Sequence, residues 1–368
     1  MNSLSWVEIN TRAIAHNIKE IRGILPHGYK VAAVIKSNAY GHGMIPMARF
    51  LEKEKLADYL AVVNDEEALS LRAAKIKLPI LVLSYWAEKN LPELIKNNIE
   101  LAVYSIRQIK AIAACAETKH CLVSALKIHL KFDTGMRRLG FAPEEVERVI
   151  AIIQRVPQIK IQGIFSHFAD AENEIFTKHQ IEKFRKIVGK VNKRVKIPIT
   201  HVAASAGSLF MRDGNFNMAR IGIAMYGLGS LVKSGKLNLK PALSWKTKVA
   251  QVKKIKPGEK IGYGLTYQFK KAAKVAVLPI GYADGYDRRL SNCGEVIIKG
   301  KRCPVRGRAC MNLMMAEVDK SAREGDEVIL IGRQGRQAIT ADELAQKIGT
   351  INYEIIARIN PEIKRIFK

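Results

Sequence analysis

Short apolar runs alternate with amphipathic stretches through the first two-thirds of the chain. Runs rich in Val, Ile, Leu and Ala predict buried strands over Val31–Lys36, Tyr59–Val63, Ile80–Ser84, Leu101–Tyr104, Leu126–Phe132, Ile161–His167, Ile199–Ala203 and Ala219–Ala224. Between them, apolar positions recur at helical spacing and predict helices such as Asp65–Ala74, Ser105–Glu117 and Glu144–Gln154. Asn64 and Ser105 can cap two of these, and Pro143 suits a first helical turn. Repeated strand–helix steps with β-branched strands predict an α/β chain whose first domain is a TIM-type (β/α)8 barrel. Chemistry in that fold sits at the C-terminal ends of the strands.

After Gly227 the pattern changes. Leu228 to Pro241 reads as a linker, and beyond it strands dominate: Trp245–Val252, Val275–Pro279, Glu295–Ile298, Met314–Val318 and Glu327–Ile331. Pro257-Gly258 and Asp284-Gly285 mark turns, and Thr340 with Glu343 forms a capping-box pattern before a helix. The expected organisation is an N-terminal strand in residues 1–10 that pairs with the last domain, a barrel over residues 11–232, and a mainly β domain over residues 233–368.

The length of 368 residues agrees with two domains, and 48% apolar content is ordinary for a globular enzyme. Charged residues interrupt every hydrophobic run, so no membrane span is expected. The start of the chain has no basic segment followed by an apolar one, so no signal peptide is expected. The five cysteines show no paired spacing and read as reduced thiols of a cytoplasmic protein. Net charge of +27 raises the question of nucleic acid or membrane surfaces. Lys183, Arg185, Lys186, Lys190, Lys193 and Arg194 concentrate that charge, but at helical spacing they are expected to wrap around a solvated face without forming one stripe. No helix-turn-helix, zinc-ligand or aromatic RNA-binding pattern accompanies them. The partner expected is therefore a small molecule, with neither nucleic acid, membrane nor metal.

Candidate chemistry gathers where the barrel rule places it. Lys36 ends the first strand and is followed by Tyr40, Gly41 and Gly43. A lysine desolvated on one side and open to ligand on the other suits Schiff-base chemistry, and the glycines let backbone approach a ligand. Lys131 and Arg138 end and follow the fifth strand, and two desolvated cations there need relief. Lys131 can lose its proton, it can be carbamylated by CO2, or Asp133 can neutralise one charge. His167 and His201 end the next two strands, and Ser205 follows at a strand-to-helix turn that suits a phosphate or a plain cap. Arg220 lies in the eighth strand with Gly222 and Ile223 behind it, and Tyr263 sits between glycines in an exposed loop.

In order and spacing these segments, from Trp6-Val7-Glu8-Ile9-Asn10 to Ile351-Asn352-Tyr353-Glu354, resemble the bacterial alanine racemases, which use pyridoxal 5'-phosphate (PLP). The resemblance implies interconversion of L- and D-alanine, the latter a peptidoglycan precursor. By the same resemblance Lys36 carries PLP and acts as one of two bases, as racemisation needs one on each face of the carbanion. Tyr263 is implied as the second base, entering from the partner subunit of a head-to-tail homodimer. Tyr40, Ser205, Tyr353 and the amides of Gly222 and Ile223 are implied at the phosphate. Arg220 is implied at the pyridine nitrogen, with His201 positioning it and His167 on the ring face. Arginine cannot accept that nitrogen's proton, so the ring is a weaker electron sink and transamination is restrained. Arg138, steadied by a Lys131 carbamate, is implied at the ring oxygen and the substrate carboxylate, to which Met311 lends an amide. Tyr282 and Arg308 are implied along the way in.

By the same resemblance Tyr40, Tyr263, Tyr282 and Tyr353 are implied to ring the substrate, which would leave little space beyond a methyl group. Excluding one methylene is worth only about 1–3 kcal/mol, so serine is an expected slow substrate. The chain departs from the family pattern at Ala204, where asparagine is usual, at Asn312, where aspartate is usual, and at Arg137, where a small residue is common. Other readings are a racemase of serine or another small amino acid and a PLP decarboxylase of this fold, which would carry an acid in place of Arg220. A non-catalytic single-barrel PLP protein would lack the β domain and Tyr263.

Overall fold

The computed structural model describes residues 4–116, 126–202, 216–229 and 237–368. The chain divides into two compact units, one of Ala15–Ser37 and Ile45–Lys240, the other of Met1–Ile14, Asn38–Met44 and Pro241–Lys368.

In the first unit an 8-stranded sheet runs in the order Ile199–His201, Ile159–Phe165, Leu126–Lys131, Ile99–Val103, Ile80–Val82, Tyr59–Val62, Lys30–Val34 and Met218–Ile221. Every neighbouring pair is parallel. Asn217 joins the two ends of that order. Its N–H donates to Thr200 O at 3.0 Å, and its Oδ1 accepts from Thr200 N–H at 2.8 Å. The sheet thus curls into a barrel, filled by Ala32, Tyr59, Leu81, Ile199 and Met218 with Leu83 against them. Helices alternate with the strands, and the helix Asp65–Ala73 starts where Asn64 Oδ1 accepts from Glu67 N–H at 3.0 Å.

Three local departures from the sequence pattern matter for the site. The strand Ile99–Val103 begins before the expected Leu101 and takes in the buried Glu100. The first barrel strand ends at Val34, so Lys36 opens the following turn, Lys36–Tyr40, and is not part of the strand. In that turn Ser37, Asn38, Ala39 and Tyr40 have φ of 53° to 54°, which is left-handed helix built from L-residues. On the helix Glu174–Asn192 the lysines do share a face: Lys183, Lys186, Lys190 and Lys193 line one groove with Pro143 and Ile187. Their spacings of three and four residues return to the same side of the helix, which the expectation of dispersed charge overlooked.

In the second unit a 7-stranded sheet is built on the N-terminal strand Trp6–Ile9. That strand pairs antiparallel with Leu243–Lys248 and parallel with Lys364–Phe367. A 3-stranded sheet of Gln251–Ile255, Ala273–Leu278 and Met314–Val318 lies apart from it in pairing. The single strand expected over Trp245–Val252 is therefore two, Leu243–Lys248 and Gln251–Ile255, in different sheets. Arg302 joins Glu295 and Glu343 at 2.8 and 2.7 Å, and Lys347 joins Glu295 at 2.9 Å, so the helix Ala341–Lys347 is tied to the sheet by charge.

Cys115 is disulfide-bonded, which corrects the expectation of five reduced thiols; Cys293, Cys303 and Cys310 are free, and Cys121 lies outside the described residues. Spacing alone does not decide pairing, and an odd total does not exclude a bridge. Among the described residues no helix is long and apolar enough to cross a membrane, and no metal-binding cluster occurs.

Candidate active site

The left-handed turn is held by side chains. Glu67 Oε1 accepts from Ser37 N–H at 2.6 Å, and its Oε2 accepts from Val63 N–H at 2.8 Å. One carboxylate thereby fixes both the residue after Lys36 and the neighbouring strand end. Burial pulls the Lys36 amine below its usual proton affinity, the Arg138 charge pulls it further, and Glu67 partly opposes them. The chain thus offers an amine that gives up its proton more readily than an ordinary lysine. Further along, Asn38 O and Oδ1 accept from the N–H groups of Gly43 and Met44, each at 2.9 Å. Gly41 has φ of +85°, and a Cβ there would strike Ile356 O, so both conformation and space require glycine. The Tyr40 ring lies 6.1 Å from that of Tyr353, and burial pushes the Tyr40 phenol's pKa up.

Lys131 is buried, and its amine is pulled down to about 8 by burial first and then by Arg220 and Arg138, with Asp133 opposing. Arg138 is exposed and shares a small cavity with Lys131, Asp133, Ser166 and His167. The loops there are tied by Thr134 Oγ1 and Ser166 Oγ at 2.8 Å, and by Gln180 Nε2 donating to Thr134 Oγ1 at 3.1 Å and to His167 O at 3.0 Å.

Arg220 is buried on the eighth strand with its guanidinium held on several sides. NH1 donates to His201 Nδ1 at 2.5 Å, and NH2 donates to Ser166 O at 2.8 Å and Val202 O at 2.9 Å and lies 3.1 Å from His167 Nδ1. Burial lowers it to about 9, still above neutrality, so it remains a cation. Burial, then the Arg220 charge, holds both His167 and His201 well below their usual pKa, so each is neutral. Phe165 walls the group: its ring stacks on His201 at 4.8 Å and lies 5.3 Å from Arg220 Cζ and 5.4 Å from Lys131 Nζ. Gly222 precedes the short helix Ile223–Tyr226, which no side chain caps among the described residues. Ser205 and Ala204 lie outside the described residues.

In the other unit the loop carrying Tyr263 lies on Arg308, since a Cβ at Gly264 would come within 3.3 Å of Arg308 Cζ. Tyr263 is 74% exposed. Tyr282 N–H donates to Cys310 O at 3.0 Å and Ala283 N–H to Met311 O at 3.0 Å, which brings Tyr282 beside Met311. The structure therefore assembles Lys36, Lys131, Arg138, His167, His201 and Arg220 in the barrel unit. It groups Tyr263 with Arg308, Tyr282 with Met311, and Tyr40 with Tyr353 in the β unit.

Sequence reading missed Glu67, Phe165 and two buried residues behind His201, namely His129 and Glu100. Glu67 gave no signal beyond a first-turn acid on a helix. Glu100 did: an acid in the run Ile99-Glu100-Leu101-Ala102-Val103 has to be paired if the strand is buried.

Residues 9–230 match the family described as alanine racemase, N-terminal domain, and residues 242–367 match alanine racemase, C-terminal domain. An alanine racemase of Methanococcus maripaludis is 42% identical over 98% of this chain and 98% of its own length. The solved alanine racemase of Clostridium difficile 630 is 37% identical with a TM-score of 0.93, covering 100% of this chain and 96% of that one. A histidine racemase of Leuconostoc mesenteroides subsp. sake is 28% identical with a TM-score of 0.91, covering 100% of this chain and 98% of its own.

Proposed function

This chain belongs to the alanine racemase family and is an isomerase that interconverts L- and D-alanine, and we propose that it does so with PLP carried on Lys36 and with Lys36 and Tyr263 as its two bases. The residues present fit that cofactor. Lys36, Lys131, Arg138 and Arg220 bear on one another at one mouth of the barrel, and only Glu67 and Asp133 oppose them among the groups that shift the two lysines. Such a cation excess suits an anionic aldehyde with a phosphate, and a lysine predisposed to lose its proton suits attachment to it. The observation that carries the reading is Arg220, a donor-only side chain locked by its buried partners where a cofactor nitrogen would require one of two opposite chemistries.

PLP, when bound, withdraws electrons from the α-carbon of an attached amino acid and so acidifies its α-hydrogen. The chain supplies the rest. Tyr40, Ser205, Tyr353 and the amides of Gly222 and Ile223 would hold the phosphate, and His167 would pack against the ring. Arg220 would give a hydrogen bond to the ring nitrogen and no proton, with His201 bracing it. Arg138 and the Met311 amide orient the substrate carboxylate. Lys36 Nζ exchanges the α-proton on one face and Tyr263 Oη on the other. Tyr263, Leu265, Met311 and Leu313 are exposed on a single chain. That supports a homodimer in which each barrel receives its partner's tyrosine past Tyr282 and Arg308.

Lys131 provides a pH test. Its amine titrates at about 8, below the usual lysine value of about 10.4. Its cation is destabilising below that pH, and the penalty fades above it, as pH rises from about 8 towards the usual lysine value. Only the neutral amine attacks CO2. At constant dissolved CO2 a carbamate on Lys131 is expected to be scarce below pH 7 and to grow through pH ~8, read by 13C NMR with labelled CO2. Lys131→Ala is expected to slow turnover by about 10–100-fold, as Arg138 loses its support, and to recover in part with added acetate. An absent carbamate signal together with no rescue would remove this role.

The reading as a whole is tested by α-proton exchange in D2O with chiral analysis of L-alanine, L-serine and larger amino acids. Fast deuteration with inversion, strongest for alanine, is the expected result. PLP-loaded protein that exchanges none of them would overturn the two-base assignment.

A further inference from the structure

A buried file of hydrogen bonds continues behind His201. His201 Nε2 lies 2.9 Å from His129 Nδ1, and His129 Nε2 lies 2.9 Å from Glu100 Oε2. Glu100 is 2% exposed and both histidines 0%. The direction of every bond follows from one end. Arginine only donates, so His201 Nδ1 is an acceptor and, the ring being neutral, Nε2 carries the proton. His129 Nδ1 must then accept, so the proton of that ring sits on Nε2 and points at Glu100 Oε2. A cationic His129, or one with its proton on Nδ1, would face donor to donor somewhere along the file. The other oxygen of Glu100 lies 3.5 Å from Tyr59 Oη and 3.9 Å from Lys127 Nζ.

The barrel makes room for this file. A Cβ on Gly163, on the adjacent strand, would overlap the His129 ring, coming 2.5 Å from Cε1 and 2.9 Å from Cγ. The φ of Gly163 is not in the left-handed region, so space and not backbone conformation is what calls for glycine there. Two separate observations thus point to a position built for His129: the unbroken donor order and the missing side chain opposite it.

We propose that Glu100, His129 and Gly163 are positioning residues for Arg220, with Glu100 serving as its counter-charge through two imidazoles of fixed tautomer. The file aims an accepting nitrogen at the guanidinium and thereby holds Arg220 at the ring nitrogen as a donor. If the order reverses, His201 presents N–H to N–H, Arg220 is pushed off, and the ring nitrogen can be protonated. The side reaction then grows, in which alanine and cofactor exchange amino group for carbonyl, water supplying the oxygen, to leave one pyruvate and one aminated cofactor. The proposal rests on the assignment of Arg220 to the ring nitrogen.

The first test is a tautomer measurement on the unaltered holoenzyme with 15N-labelled histidine. His129 and His201 are each expected to show a protonated Nε2 and a bare Nδ1; a doubly protonated or Nδ1–H ring at either position overturns the proposal. The second compares Glu100→Gln, Gly163→Ala and Arg220→Lys for pyruvate formed per alanine racemised. The first two, with unchanged circular dichroism, are expected to raise that ratio by about tenfold or more, the scale of one lost charge-assisted hydrogen bond. A raised ratio for Arg220→Lys alone would overturn the role of the file and keep the Arg220 assignment. No rise in any of the three would overturn the Arg220 assignment itself. If the variants fail to fold, the tautomer measurement still decides.

Discussion

Lys36→Ala is expected to give a folded protein that has lost the visible absorption band of lysine-bound PLP and racemises alanine more than about 10³-fold more slowly, since an attachment point and a base vanish together. The fold should survive because the bonds that shape the turn come from Glu67 to the backbone of Ser37 and Val63, and none needs the Lys36 side chain. The change also deletes one of the mutually repelling cations at the barrel mouth, so stability should hold or rise slightly. Absorbance of the reconstituted variant and a chiral assay check both parts. A spectrum identical to that of the parent would remove Lys36 from the cofactor assignment.

Tyr263→Phe is the sharper test of stereochemistry. Tyr263 is 74% exposed on a single chain, so loss of its hydroxyl should leave the stability of the protomer fold within about 0.5 kcal/mol and leave PLP uptake intact. Removal of the α-hydrogen from L-alanine is expected to fall by about 10²–10⁴-fold, the usual worth of one general base. Removal from D-alanine, which a two-base scheme with Tyr263 on the L face leaves to Lys36, should fall far less. Single-turnover exchange of each enantiomer in D2O separates the two faces. Equal loss from both enantiomers would mean that one group serves both faces, and the two-base scheme would fail.

The barrel was legible because its strands are buried on both sides and read as plain apolar runs, and because parallel strands require the alternating helices between them. The β unit was less legible. Trp245 to Val252 is one apolar-rich stretch, yet the chain leaves one sheet at Lys248 and joins another at Gln251, a switch set by partners far away in sequence. The Lys364–Phe367 strand is short and charged, and only its pairing with Trp6–Ile9 makes it a strand. At the site, Lys36, Lys131 and Arg220 stood out because a charge at a buried strand end is conspicuous. Glu100 was passed over for a related reason. The apolar pattern breaks at that acid, so the strand seemed to begin after it, although its pairing with His129 lets the strand run straight through. Glu67 was invisible because its work is done on backbone N–H groups of other segments, which no side-chain pattern records.

The left-handed turn after Lys36 has a consequence for the order in which the molecule folds. Each L-residue in that screw sense costs roughly 1–2 kcal/mol, so the run Ser37 to Tyr40 cannot form as an autonomous nucleus. Its anchors come from elsewhere: Glu67 grips Ser37, and Arg365 donates to Gly41 O at 3.1 Å from the far end of the chain. Local helices elsewhere form quickly, and the strands can pair without it. The end of the turn gains its Arg365 contact once the C-terminal strand has docked beside Trp6–Ile9. A nascent or refolding chain would therefore acquire nearly all its regular structure before Lys36 is aimed. Truncation of the final strand is expected to remove the Arg365 contact and to loosen the segment that follows Lys36.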